Sequence, residues 1–462
     1  SLVMLSFNIY KTLWNKAGLW TSFWATLQQV TVASSTYFII QSIRYATEGK
    51  TQEALLWAFW FVVSLIVVFA PNTLSVIWLQ RWRYDSLASY MQEFVTRNGG
   101  YSTWSHGRDK EKYESWLTTE NVVIYENATR VVYDLYQIFL STVLNILVIA
   151  VAIDPRISAW YLAAGALLAG ANRAFRGKIA LSAQRMQNGR RNLSDSLLSS
   201  WENIFVGNKY CLQNWEAKFL GSLQNAKEAA AGYDQTRTLV SSCAVGMALT
   251  VIAAGNGIFL KEQLDNPTAF AALLVSLPRQ LQVIQNIFAF FGLTLSWEGL
   301  RAQLKELEEI LGISQTSRDL EEFVKLDEIS VTNGGGKISV SKVSQLKGFL
   351  DQKDNGRFTL RGKNGAGKST LLSILAEHTG ESSFFLPSHF SDLSFKSDEL
   401  ISQSDGNRLL HAFEEIKNLS EVKFVFLDEW DANLDISNID KINSAIEVLS
   451  QRKVVLESRH RA

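Results

Sequence analysis

Through the first 300 positions apolar residues run in long blocks, and beyond them the pattern changes to short runs set among charged residues. A membrane-crossing helix needs about 20 mostly apolar residues. Residues 55–79 contain LLWAFWFVVSLIVVFAP ahead of Arg81 and Arg83, and residues 131–153 are apolar almost throughout. The stretch 157–171 is shorter and follows the tight turn Asp154-Pro155-Arg156, and 239–260 and 269–297 come after it. The stretch 20–43 is weaker, because Gln28, Gln29, Ser34 and Ser35 interrupt it. The pattern predicts six spans in an all-α transmembrane domain over residues 1–311. Soluble bundles also contain helices that are apolar all round. Here 13 of the 14 tryptophans lie before residue 300, several near span ends, where an amphipathic ring favours a lipid interface. Residues 1–19 hold Lys11 and Lys16 without a clean apolar core and cleavage site, so no signal peptide is expected there.

The connections divide by length and charge. Residues 44–53, 154–156 and 261–268 are short and hold four Lys or Arg between them, whereas 81–130 and 172–238 are long and hold seven and ten. Positive charge is retained on the cytoplasmic side of a membrane. The long loops, the N-terminus and the C-terminal part are therefore expected there. In the second long loop Leu193, Leu197, Leu198, Trp201 and Ile204 recur at helical spacing, which predicts helices continuing past the bilayer.

The stretch 301–311 (RAQLKELEEIL) reads as a solvated helical connector, and 312–322 as a linker. From Phe323 onward FVKLDEISV, RFTLR, SSFFLP, VKFVFLD and KVVLES alternate with helical stretches. That texture predicts a small α/β domain over 323–462 with a largely parallel sheet.

Composition narrows the functional classes. Lys and Arg total 45 against 45 Asp and Glu, and this neutrality argues against a nucleic-acid partner, since phosphate neutralisation needs a basic excess. Five Pro and 28 Gly exclude a collagenous chain. Two cysteines, Cys211 and Cys243, exclude a disulfide scaffold and a four-cysteine zinc site. The mean hydropathy of +0.02 is the average of an apolar part and a charged part.

The strongest chemical signal is Gly362-Lys363-Asn364-Gly365-Ala366-Gly367-Lys368-Ser369-Thr370, which meets the phosphate-loop pattern G-x-x-x-x-G-K-[ST]. Residues 357–361 read as a strand before it and 370–377 as a helix after it. Glycines let the backbone curl so that N–H groups face phosphate oxygens, and the helix N-terminus adds its positive end. Lys368 would reach the β- and γ-phosphates, and the Ser369 hydroxyl would hold Mg²⁺. The apolar strand ending at Asp428-Glu429 supplies a carboxylate for Mg²⁺ opposite Ser369, with Glu429 placed to orient an attacking water. His460 follows the last strand, where it could sense the γ-phosphate; most isolated histidines are surface residues. His106, His378, His389 and His411 show no metal-like spacing.

Polar residues inside spans mark pathways or interhelical hydrogen bonds. In the last span Arg279, Gln282, Gln285 and Asn286 follow Pro278, a residue able to kink a helix. With Gln28, Gln29 and Asn145 they are candidates to line a central cavity, and an Arg and amide lining suits a polar or anionic amphipathic solute such as a peptide.

Six spans, long cytoplasmic loops, a phosphate loop, Phe426-Leu427-Asp428-Glu429 and a late His460-Arg461 resemble an exporter-type (type IV-like) ABC half-transporter. In this resemblance Ala432-Asn433-Leu434-Asp435 matches the D-loop and His460 the switch histidine. Ser404-Asp405-Gly406-Asn407 matches the signature segment that contacts ATP held by the other subunit. The chain departs from the family pattern at three places. Asn333 stands near the usual adenine-stacking aromatic, Ser388 stands for the usual glutamine, and only 389–403 fills the interval of the helical subdomain, so a shortened ATP-binding domain is expected. The resemblance implies ATP and Mg²⁺ as cofactors, a homodimer, contact with membrane lipids, and transport of a small solute or peptide by alternating access. It also implies a multi-pass protein of a bacterial inner membrane, with its ATP-binding domain in the cytoplasm. A membrane-anchored ATP-binding switch or sensor that moves no solute is the alternative.

Overall fold

The computed structural model describes residues 8–99, 120–311, 320–333, 336–388, 393–395, 405–432 and 436–459. They fall into two compact units, divided as Ser1–Gln92 with Trp116–Glu309 and Glu93–Ser115 with Ile310–Ala462.

The first unit is built from long helices: α1 (Lys16–Thr47), α2 (Thr51–Val67), α3 (Phe69–Asn98), α4 (Asn121–Ala152), α5 (Pro155–Leu198), the short α6 (Ser200–Phe205), α7 (Lys209–Glu262) and α8 (Pro267–Ile310). Their ends follow local chemistry. Asn15 caps α1 by accepting from the Gly18 N–H at 2.9 Å, and Asp154 caps α5 by accepting from the Arg156 N–H at 2.7 Å, with Pro155 in the first turn. The expected span 55–79 runs across the junction of α2 and α3 at Val68. Pro71 lies just beyond, and its missing N–H leaves the Val67 carbonyl without its helical donor. α8, in contrast, continues through Pro278.

Among the described residues three helical segments are long and apolar enough to cross a membrane: Thr51–Asn98, Asn121–Ala152 and Lys209–Glu262. The other three expected spans lie on α1, α5 and α8, whose runs are diluted by amides, hydroxyls or charge. The count of six is thus not reproduced by length and hydropathy. On α2 only Ala54 and Ser64 are buried, and Leu55, Phe59, Trp60 and Ile66 stand exposed. α5 and α7 approach closely where side chains are small: a Cβ on Gly189 would lie 3.1 Å from the Ala226 Cα, and one on Gly255 would strike the Trp160 ring. Ile157, Tyr161, Ala164, Leu168, Ala248, Ile252 and Phe259 close the core beside that seam.

The second unit is an α/β layer structure around one six-stranded sheet of order β2-β1-β3-β6-β5-β4. The strands are β1 (Ile329–Asn333), β2 (Gly336–Ser339), β3 (Gly356–Gly362), β4 (Ser383–Leu386), β5 (Phe424–Leu427) and β6 (Val454–Ser458). The helices are α9 (Val343–Asp351), α10 (Lys368–Thr379), α11 (Asp405–Lys417) and α12 (Ile436–Ser450). β3, β6, β5 and β4 are parallel, while β1 pairs antiparallel with both β2 and β3. The hairpin β1–β2 adds an antiparallel edge to the largely parallel sheet expected. β5 and β6 are buried at every position, as central parallel strands covered on both faces must be. Leu360, Leu371, Leu375, Phe426 and Leu456 pack on the α10 face, and Val425, Leu427, Val455, Phe413 and Ile446 on the α11 and α12 face. Lys453 donates to the Leu419 carbonyl at 2.6 Å and to that of Val422; burial pulls its pKa below the usual lysine value.

The run FVKLDEISV, expected as one strand, is extended only from Ile329. Before it stand the 3₁₀ turns Leu320–Phe323 and Leu326–Glu328. The reason is a competing bond: the Lys325 N–H donates to the Ala366 carbonyl at 3.0 Å, which ties this segment to the glycine-rich loop after β3 rather than to a neighbouring strand.

Candidate functional site

The site begins where β3 ends. The chain turns through Lys363–Gly367 and enters α10 at Lys368. Gly365 and Gly367 hold φ of 82° and 90°, a conformation that disfavours any Cβ. At Gly367 space is limiting as well, since a Cβ would sit 2.6 Å from the Phe323 carbonyl oxygen and 3.0 Å from the Val324 Cα. At Gly365 nothing lies within 4 Å. Gly367→Ala is therefore expected to cost about 1–3 kcal/mol and to displace the loop, while Gly365→Ala costs about 1 kcal/mol from strain alone. The affinity for a fluorescent ATP analogue and the Tm of each variant measure the difference.

Within the loop the Ala366 N–H donates to the Lys363 carbonyl at 3.1 Å. Lys368 is 8% exposed and its ammonium donates to the Gly362 carbonyl at 3.0 Å, so the cation is held at the centre of the turn. Residues 362–365 and Ser369 are exposed and Thr370 is half-buried, leaving the outer side of the loop open. The first N–H groups of α10 have no acceptor within their own helix.

Opposite the loop, Asp428 follows β5 and is 4% exposed. The Ser369 hydroxyl donates to its Oδ1 at 2.9 Å, so the structure brings together the two residues expected at a Mg²⁺ ion. The Ser458 hydroxyl donates to the same Oδ1 at 2.8 Å and accepts from the Glu429 N–H at 3.0 Å. Glu429 is half-buried with φ of 42°, and it is the one non-glycine residue with positive φ among those described. A left-handed non-glycine residue costs about 1 kcal/mol, and such strain gathers at functional sites.

Among the described residues no group of three or more His, Cys, Asp or Glu could hold a metal by itself. Mg²⁺ needs no such cage, because it takes one or two protein oxygens and fills its shell with phosphate and water. A hydroxyl and a carboxylate 2.9 Å apart at the foot of the glycine-rich loop fit that demand.

Of the expected signature segment, Gly406 and Asn407 lie in the first turn of α11. Gly406 is buried, with the Asn438 side chain of α12 3.0 Å from where its Cβ would be, and Asn407 is exposed. Ser404 and His460 lie outside the described residues, as do 433–435 of the expected D-loop and most of 389–403. Asn333 ends β1 and Ser388 follows β4.

The expected pathway residues occupy the helical unit. Arg279 donates to the Ser35 hydroxyl of α1 at 3.0 Å and to Gln282 at 2.6 Å. Asn286 donates to the Ser141 hydroxyl at 2.9 Å, and Asn145 accepts from Thr36 at 3.3 Å. Gln28 accepts from Gln137 of α4 at 2.8 Å, Gln29 donates to the same Gln137, and Gln285 is exposed.

Sequence reasoning missed the surroundings of Glu457. This residue is fully buried in β6 and receives Arg357 at 2.9 and 3.1 Å, Arg459 at 3.1 Å, the Thr359 hydroxyl at 3.0 Å and the Trp430 indole at 2.9 Å. Asn443 of α12 accepts from both arginines at 2.8 Å. An acidic residue inside the apolar run VVLES was the available signal, because a buried carboxylate demands partners. Through Trp430 the cluster clamps the segment that carries Glu429.

Among solved structures, the chain is similar to a bacterial Atm1-family ABC exporter with ATP bound. Sequence identity is 13%, the TM-score is 0.56, and the match covers 97% of this chain and 92% of that chain. No family model matches the sequence, and no curated protein matches it. At this identity the likeness concerns architecture alone: the chain has an exporter-type ABC fold, a helical domain followed by a small α/β domain.

Proposed function

We propose that this chain is one half of a homodimeric ATP-driven transporter, with its helical unit in a membrane and its α/β unit binding and hydrolysing ATP. The observation that carries the reading is the pairing of Ser369 with Asp428 at the foot of the phosphate loop. Such a pair is what a Mg²⁺–nucleotide complex requires. Exposed apolar helices long enough to span a bilayer support the placement in lipid.

In this reading the backbone of Gly362–Thr370 receives the phosphates, and Lys368 turns from the Gly362 carbonyl toward them. Bound Mg²⁺ offsets phosphate charge. Glu429 orients water for attack on the γ-phosphorus, and the bond to the bridging oxygen breaks to release ADP and phosphate. One chain carries one phosphate loop and one signature segment, so Ser404, Gly406 and Asn407 of each copy would close over ATP held by the other. His460 would sense the γ-phosphate. The uncovered turn of α6, with Trp201 69% and Phe205 66% exposed, supports a second copy as partner. Closure and opening then alternate access to a path lined by Arg279, Gln282, Gln285, Asn286 and Gln28, suited to a peptide or another amphipathic solute.

Purified protein in liposomes tests this. ATP hydrolysis dependent on Mg²⁺ is expected, with flux of a charged peptide or amphipathic solute. Lys368→Ala should weaken nucleotide affinity tens of times, about the worth of one hydrogen bond to a charged group. Hydrolysis that neither drives nor responds to any solute would point to a sensor instead. No binding of nucleotide by the wild type would end the proposal.

A further inference from the structure

β6 lies between β3, which leads into the phosphate loop, and β5, which leads into Asp428. Successive residues of a strand face opposite sides. Leu456 packs on the α10 face, and Ser458, two residues on, reaches Asp428 beneath the loop. Glu457 faces the other layer, bound to Asn443's arginine partners and to Trp430. Ser458 is fully buried, and its hydroxyl makes two directed bonds, donating to Asp428 Oδ1 at 2.8 Å and accepting from the Glu429 N–H at 3.0 Å.

Both bonds bear on groups whose placement sets the rate. Ser369 donates to the same Oδ1, but a hydroxyl that turns its lone pair to a metal ion changes its bond to Asp428. The Ser458 donor needs no such change and continues to orient the carboxylate. Its other bond holds the main chain of Glu429 at φ 42°, a strained conformation that persists only where surroundings enforce it. One buried hydroxyl therefore fixes the metal carboxylate and the water-orienting residue relative to each other.

We propose that Ser458 is a positioning residue for ATP hydrolysis, locking Asp428 and Glu429 into one unit at the end of β6. The inference rests on the ATPase reading above and adds a residue outside the phosphate loop and the Asp-Glu pair. It separates two quantities: nucleotide affinity without metal belongs to the loop, while the metal requirement and the turnover rate depend on Ser458.

Ser458→Ala, Ser458→Cys and Ser458→Thr in the full chain test it. Three quantities are read: kcat with KM for ATP, the Mg²⁺ concentration giving half-maximal rate, and calorimetric affinity for a non-hydrolysable ATP analogue with Mg²⁺ or with EDTA. For Ser458→Ala the expected result is kcat lowered about ten- to hundred-fold, the range for one hydrogen bond to a charged group. Half-saturating Mg²⁺ should rise by about ten-fold on the same grounds, and the affinity measured in EDTA should stay within two-fold. Ser458→Thr keeps the hydroxyl on a strand that accepts β-branching and should restore most of both losses. Ser458→Cys keeps the volume with a weak donor and should fall between; it carries the test should the alanine variant not fold. The proposal is overturned by alanine or cysteine variants with wild-type kcat and Mg²⁺ dependence, or by a threonine variant as impaired as alanine. A wild type that neither binds nor hydrolyses ATP would instead refute the ATPase reading on which the inference depends.

Discussion

Glu429→Gln is expected to lower ATP hydrolysis by about 100- to 10,000-fold, the range over which a positioned general base acts. Nucleotide binding should persist. Glutamine matches glutamate in size and keeps the main-chain N–H that Ser458 accepts at 3.0 Å, so the conformation at φ 42° is retained. Asp428 and its two hydroxyl donors are untouched. What is removed is one negative charge and its capacity to accept the proton of an attacking water. Phosphate release under single-turnover conditions measures the rate, and retention of labelled ATP measures binding. Equal rates in variant and wild type would remove Glu429 from the mechanism. Loss of binding together with rate would mean that the side chain holds the site together instead.

Glu457→Ala should destabilise the α/β unit by about 3–5 kcal/mol, the range for removing one partner of a buried ion pair. The side chain is completely buried and accepts from two arginines, a hydroxyl and an indole. Without it, the Arg357 and Arg459 guanidiniums face each other across a cavity. Asn443 is neutral and cannot balance them, and Glu447 lies 3.8 Å from Arg357 with its own side chain 65% exposed. Trp430 loses its acceptor, and with it the clamp on the Glu429 segment. Denaturant unfolding of the full chain in detergent, followed through the α/β unit, gives the stability difference. A midpoint within error of the wild type would show that the cluster adds nothing to stability. Glu457→Gln separates charge from shape, because it retains the volume and part of the acceptor capacity. Its loss is expected to be smaller.

Much of the α/β unit was legible because its signals are local. A strand, a glycine-rich turn and a helix follow one another in 356–379, and each is specified within a few residues. The β-like runs around Phe424 and Val454 are mostly apolar, and buried at every position, because both faces of central strands are covered. The pairing of β1 with β2 was not read, since the run of glycines in the sequence at 334–336 hides the strand that begins there. The break before Ile329 was equally hidden, because a bond to a carbonyl 41 positions away in number, from Lys325 to Ala366, outweighs the local apolar pattern. In the helical unit the expected spans fall on helices, one of them across the break between α2 and α3 at Val68, but among the described residues three segments satisfy length and hydropathy. The amides that dilute the others bond across helices, as Gln28 and Gln29 do with Gln137.

By itself the sequence determined the division into an apolar helical part and a charged α/β part, and it placed the glycine-rich run Gly362–Thr370 between a strand and a helix. Those properties depend on period and on neighbours along the chain. Only the tertiary structure decided which distant groups share an atom. It set Ser369 and Ser458, 89 positions apart, on the same oxygen of Asp428, and it gathered Arg357, Trp430 and Arg459 around Glu457. The physical reason is strand order. β6 is last in the chain but lies between β3 and β5, and no local pattern records which strand will be inserted between two others.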